Sequence, residues 1–301
     1  RGLVRIMNGR AKGTVYVLVC VALWAFIPVV AKMGQTTLDN HQFLFWSSLV
    51  SFIVLSLAAT FSGTIGEIKK YRLKDLSYLV FLGLLGTYIY YLFLYLGYSQ
   101  AIGMEVLVVQ YTWPILIVVL SIFILKERLS YRKVIAIILG FIGVIIVLTK
   151  GEFQNINVSN ASVIVLVGAG ASCFALFSVL SKNINKEPLG VTSVYFLSAC
   201  IASFLSMLYY SEFAIPSTAE IVPVLLNGIL VNGFSYVFWL VALRSAEASY
   251  LAPFTFITPV LSAIYLIVFF DEPIVLSYGV GLICVVAGGL VNSIAYTKKA
   301  A

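Results

Sequence analysis

The sequence predicts an all-α integral membrane protein of ten transmembrane helices, arranged as two inverted five-helix repeats with both termini cytoplasmic. Composition, the placement of basic residues and an internal duplication predict it. Of the 301 residues, 61% are hydrophobic and 10% charged, against roughly a quarter charged in a soluble globular domain. Apolar runs that can cross ~30 Å of hydrocarbon, which takes about 20 helical residues, recur from Thr14 almost to the C-terminus.

Taken between polar punctuation, the first five helices fall at Thr14–Lys32, Gln42–Phe61, Leu76–Tyr98, Val106–Leu125 and Val134–Leu148. The second five fall at Val163–Leu180, Val191–Tyr210, Ile221–Leu243, Leu251–Phe270 and Ile274–Ala295. Basic residues supply an independent test, because they concentrate on the cytoplasmic side of alternate loops. With the N-terminus inside, 17 of the 19 lysines and arginines fall on that side, and only Lys32 and Lys150 fall outside. One span missed or invented in mid-chain would scramble this split.

The halves, residues 1–150 and 151–301, resemble each other. A shift of 145 positions lays Ala101 on Ala246, Pro114 on Pro259, Glu127 on Glu272 and Gly143 on Gly288. A gap change of five lays Trp24–Lys32 on Phe174–Lys182. Five spans per copy force the second copy to enter from the opposite face. Inverted pairs of this kind characterise secondary transporters, whose substrate sites lie near the midplane.

Other classes find less support. Cys20, Cys173, Cys200 and Cys284 lie in apolar runs without C-x-x-C spacing, so neither disulfides nor a metal site is indicated. The net charge of +7 sits in turns between spans, which argues for topology and against nucleic acid. No cofactor is indicated. The first run is too long for a signal core and is followed by comparable spans, so it reads as a helix that stays. His41, the only histidine, is placed in an outer loop, and no catalytic set appears, so the chain does not read as an enzyme. No Asp, Glu, His, Lys or Arg occupies mid-span; Lys32, Glu105, Arg244, Glu247 and Glu272 stand at span ends as snorkelling or loop charges, with Glu127 and Glu272 fixing helix ends.

Two prolines mark the midplane. Pro114 and Pro259 each remove a helical N–H, freeing the carbonyls of Gln110 and Thr255, and the two kinks are expected to act as hinges. Aromatic residues gather near these notches. Tyr88, Tyr91, Tyr95 and Tyr98 share a helical face, with Tyr98 at the interface. Tyr111 and Trp113 flank the first notch, and Thr258 precedes Pro259 at the second. Asn232, Ser235, Tyr236 and Trp239 form a face of the eighth helix, while Trp24 and Phe174 are equivalent in the first and sixth. Rings with scattered hydroxyls and amides suit a solute with an apolar body and a polar head, such as an amino acid.

Trp24-Ala-Phe-Ile-Pro-Val-Val-Ala-Lys32, the Leu-Lys-Glu-Arg-Leu turn at Leu125–Leu129 leading into Gly140-Phe-Ile-Gly143, and the second copy resemble EamA-type repeats of the drug/metabolite transporter superfamily. Gln110-Tyr-Thr-Trp-Pro114 and Phe256-Ile-Thr-Pro-Val-Leu-Ser-Ala263 are similar to the YddG-like aromatic amino acid exporters within it. This resemblance implies a basket of ten helices in a bacterial inner membrane, exporting amino acids. It also implies a central cavity lined by the first, third, fourth, sixth, eighth and ninth helices. A quaternary amine, drug-like cation or nucleotide derivative is the alternative cargo, and a receptor or scaffold the alternative class. A monomer is compatible with the sequence.

Overall fold

The computed structural model describes residues 9–101, 103–152, 160–270 and 274–297. The side chain of Glu105, together with Glu272 and the terminal Arg1, Arg5, Lys298 and Lys299, lies outside the described parts. Among the described residues nine helices are long and apolar enough to cross a membrane. They are α1 (Gly9–Gly34), α2 (Asn40–Phe61), α3 (Leu73–Gln100), α4 (Val106–Ile124), α5 (Tyr131–Leu148), α6 (Ala161–Ser181), α7 (Pro188–Tyr210), α8 (Thr218–Ser245) and α9 (Ala248–Phe270). The last helix, α10 (Leu276–Thr297), has a shorter apolar stretch, Leu276–Asn292. Expected starts shift by up to five residues, most at α1, which begins at Gly9 rather than Thr14; α5 begins at Tyr131 rather than Val134 because Ser130 caps it, accepting from Lys133 N at 3.4 Å.

Helix starts are tied down by side chains and fix the loops. Asp39 and Gln42 form a capping box at α2 (2.8 and 2.9 Å). Glu220 closes a second box at α8 with Ser217 and also accepts Thr37 N (2.8 Å), Thr37 Oγ1 (2.7 Å) and Leu38 N (2.9 Å), so the α1–α2 turn is anchored to α8. His41, expected in a loop, stands in the first turn of α2, with Nδ1 3.1 Å from Ser206 Oγ and its ring stacked on Tyr210.

Five helices depart from regular geometry within their spans. α1 breaks at Ala25–Phe26 and resumes at Ile27, because Pro28 cannot donate to the Trp24 carbonyl. Its counterpart α6, with Ser178 at the equivalent position, runs unbroken. α4 breaks at Tyr111–Thr112 with Pro114 second in the resumed segment. α9 tightens to a 3₁₀ turn at Ala252–Phe256 before Pro259. Each break therefore lies on the N-terminal side of its proline, where the missing N–H would have donated.

α3 and α8 carry π-helical segments at Leu84–Ile89 and Asn227–Phe234, at equivalent places in the two halves. Side chains tie both wide turns to other helices. Gly86 O accepts Tyr236 OH (2.8 Å) and Gly228 O accepts Ser51 Oγ (2.7 Å), while Thr87 Oγ1 donates to Gly83 O within α3 (2.5 Å) and reaches Tyr195 O on α7 (3.1 Å). α7 thus packs on the wide turn of α3, and α2 on that of α8. Glycine is required there: a Cβ on Gly83 would lie 2.8 Å from the Tyr195 backbone, and one on Gly228 2.8 Å from Ser47 O.

Both described ends approach the turn before α9. Arg10 pairs with Glu247 at 3.6 Å and Asn292 Nδ2 donates to Tyr250 O at 2.7 Å, which puts the start of α1 and the later part of α10 at one end of the bundle.

Candidate functional site

The breaks in α1 and α4 and the wide turns of α3 and α8 direct aromatic side chains to one place at the bundle centre. Trp24 sits in the middle, its ring centroid 5.4 Å from Trp239, 5.9 Å from Phe174, 6.0 Å from Trp113 and 6.4 Å from Tyr236, all edge to face. Phe174 also meets Tyr90 at 4.6 Å and Trp113 at 5.0 Å. Such pairs add about 0.5–1.5 kcal/mol each beyond the area they bury. The expected Trp24, Tyr91, Gln110, Tyr111, Trp113, Phe174 and Thr258 line one small cavity among these rings. It holds about 10 Å³, room for a single water, so in this conformation side chains fill the centre.

The polar atoms around the rings fall into two groups. Some are satisfied: Trp24 Nε1 donates to Ser235 Oγ (2.8 Å), Trp239 Nε1 to Ser178 Oγ (3.0 Å), and Asn227 Nδ2 to Tyr95 OH (2.8 Å). Others are buried without a well-formed hydrogen bond, namely Trp113 Nε1, the Thr258 and Ser262 hydroxyls beside that of Tyr111, and the Asn232 amide beside the Tyr95 hydroxyl. A buried polar atom left unpaired costs about 1–3 kcal/mol unless a water or a ligand meets it.

Not every expected residue arrives. Tyr88 is half-buried and does not line the cavity; Tyr90 does. The π segment that precedes Tyr90 widens the turn and shifts the phase of the helix, which a uniform 3.6-residue period cannot show. Thr255 turns its hydroxyl back to Ala252 O at 2.6 Å within the 3₁₀ turn and is absent from the cavity wall. Tyr98, expected at the interface, instead donates to Gln110 Oε1 at 3.3 Å, while Gln110 Nε2 donates to Tyr90 OH at 2.8 Å. Pro114 is buried.

Above this Gln110 bridge the structure opens into a vestibule of about 550 Å³, the size of small-molecule sites. Pro28, Lys32, Tyr98, Leu107, Pro259 and Ser262 are among its walls, and Lys150 also faces it. Lys32 and Lys150, the two basic residues expected on the outer side, thus stand at its mouth. The vestibule draws on α1, α3, α4, α5, α9 and α10, so the open space is displaced from the expected centre toward one end.

The other end is shut by charged groups, among them Glu247, expected as a span-end charge, and Glu127, expected to fix a helix end. Lys133, 1% exposed, donates to Arg128 O (2.9 Å), Glu247 Oε2 (2.7 Å) and Ser249 Oγ (2.6 Å). Glu127 caps the start of α9, accepting Ala248 N (2.8 Å), Ser249 N (2.9 Å) and Ser249 Oγ (2.5 Å). Lys182 Nζ lies 3.9 Å from Glu127 Oε1 and donates to Leu243 O (2.6 Å) and to Ala246 O. Burial pushes the Lys182 ammonium below the usual lysine range, and the nearby Glu127 and Glu247 oppose that shift.

A helical membrane protein of two repeats, with a ring-filled centre, a vestibule toward one end and ion pairs at the other, is the class these features define. The chain belongs to the EamA-like transporter family of the drug/metabolite transporter superfamily, whose family model matches residues 11–149 and again residues 154–294. An uncharacterized transporter of Archaeoglobus fulgidus is 28% identical over 215 residues, covering 69% of this chain and 74% of that one. An aromatic amino acid exporter, YddG, of Ancylobacter novellus is 26% identical over 188 residues, covering 62% and 65%. A solved crystal structure superposes with a TM-score of 0.85 over 97% of this chain and 100% of that one at 19% identity, a likeness of fold.

Proposed function

We propose that the protein is a secondary transporter that exports neutral amino acids, aromatic ones included, by alternating access through the ring-lined centre. The observation that carries this reading is the cluster about Trp24, which joins rings from both halves to buried donors and acceptors without well-formed hydrogen bonds. Rings receive an apolar side chain, and Trp113 Nε1, Thr258 and Asn232 are placed to meet a polar head. The similarity to an aromatic amino acid exporter points the same way.

In this reading ten helices span the plasma membrane of a bacterium, both termini are cytoplasmic, and the vestibule with Lys32 and Lys150 faces outward; the distribution of basic residues supports this orientation. Transport is driven by the substrate gradient, because no carboxylate that could relay a proton stands at mid-span. Pro114 and Pro259 act as the bending points.

Transport of a labelled amino acid panel in proteoliposomes, with and without an imposed pH gradient, tests this. Uptake of phenylalanine, tryptophan, threonine or methionine that does not depend on the pH gradient is the expected result. Failure of all four to move or compete rejects the amino acid assignment; movement of a quaternary amine in their place would transfer the same rings to a cationic cargo.

A further inference from the structure

Lys32 and Lys182 are equivalent in the two halves and stand at opposite ends of the bundle. α1 starts at the closed end, where Arg10 meets Glu247, and crosses to Lys32 in the vestibule wall. Lys182 follows α6 and lies at the closed end itself, on the C-terminus of α8. Its ammonium binds Leu243 O and Ala246 O, two carbonyls that the helix end leaves without intrahelical donors.

The end of α3 repeats this feature without its cation. Ala246, which follows the last helical residue of α8, has φ −146° and ψ 172°, and its N–H bonds Ala242 O. Ala101, 145 positions earlier and just past the end of α3, has φ −134° and ψ 168°, and its N–H bonds Gly97 O. Tyr98 O and Ala101 O therefore correspond to Leu243 O and Ala246 O. Tyr98 and Ser99 line the vestibule that Lys32 faces, yet Lys32 Nζ rests over the Phe270 ring, 4.1 Å from its centroid.

We infer that Lys32 is the latch of the vestibule end: when the vestibule closes, its ammonium leaves Phe270 and docks on the Tyr98 and Ala101 carbonyls, while Lys182 releases Leu243 and Ala246. Each end of the bundle then carries a lysine that seals it by binding the C-terminus of a helix from the same half, and the two seals alternate. The inference rests on the alternating-access reading above.

The test is the rate at which a maleimide labels Ser99→Cys, a vestibule-lining position, in purified protein carrying Cys173→Ala and Cys284→Ala. With Lys182 intact, labelling is fast. Lys182→Met removes the seal seen here and slows labelling by about tenfold or more, the weight of two charge-assisted hydrogen bonds. Adding Lys32→Met restores fast labelling, whereas adding Lys32→Arg leaves it slow; elution as a single species by size exclusion shows that each variant is folded. Labelling that stays fast in Lys182→Met, or stays slow after Lys32→Met is added, overturns the latch. Wild-type transport is measured in parallel. A failed latch with intact transport removes only this inference, and the expected labelling pattern without transport of any amino acid removes only the functional reading.

Discussion

Trp24 and Phe174 occupy equivalent positions in the two halves of the chain, and their rings meet edge to face at 5.9 Å in the centre of the bundle. The place where the repeats touch is therefore also the place where the rings gather. Removing the central ring should be costly. We expect Trp24→Ala to lower the unfolding free energy by about 3 kcal/mol or more, measured by denaturant titration in detergent. Trp24→Phe, which keeps a ring but gives up the donor to Ser235, should cost clearly less. Equal losses for the two variants would show that ring packing is not what holds this centre together.

Gly228 faces the carbonyl of Ser47 so closely that any side chain must part α2 from α8. We expect Gly228→Val, and Gly83→Val at the equivalent site against Tyr195, to yield little monodisperse protein in detergent sizing. Gly66→Val is the control, since a Cβ there meets nothing within 4 Å. Normal yield of both packed-site variants would contradict the close approach.

Lys133 is buried among three oxygen acceptors at the closed end. Removing one partner of a buried charged pair costs about 3–5 kcal/mol, and less when, as for Glu247, the partner is partly exposed and a second cation, Arg10, stands near. We expect Lys133→Met to destabilise the protein by about 2 kcal/mol, and Arg10→Met by less than half as much. The same denaturant titration ranks them; an equal or reversed order would contradict the assignment of Lys133 as the principal tie.

Pro114 and Pro259 each follow an interruption of their helix. If these interruptions are bending points, Pro114→Ala and Pro259→Ala restore a helical N–H and stiffen the span. We expect the maximal transport rate to fall several-fold while the half-saturating concentration changes little. Unaltered rates would place the bending elsewhere.

Much of this fold was legible because hydropathy and the location of basic residues answer to the bilayer, a uniform solvent. The repeat was legible through a few residues, Pro114 with Pro259 and Trp24 with Phe174. What stayed hidden depends on departures from regular geometry. π turns carry no compositional mark, so Tyr90 could not be told from Tyr88 as the inward residue. The 3₁₀ turn that draws the Thr255 hydroxyl to its own backbone was equally silent. A role for Glu127 at a helix end was legible, but nothing local says that the end is the N-terminus of α9, more than a hundred residues away. The vestibule depends on the conformation adopted, which a periodicity does not encode.

Three of the four tryptophans, Trp24, Trp113 and Trp239, belong to the ring cluster, and the fourth, Trp46, lies on α2 with its indole bonded to Ala214 O. In Trp46→Phe protein the tryptophan emission, excited at the red edge where tyrosine does not absorb, reports on the ring cluster alone. Titrating this protein in detergent with phenylalanine should give a saturable change in tryptophan emission, with glutamate giving none. A flat response at concentrations that saturate transport would mean that substrate does not reach these rings.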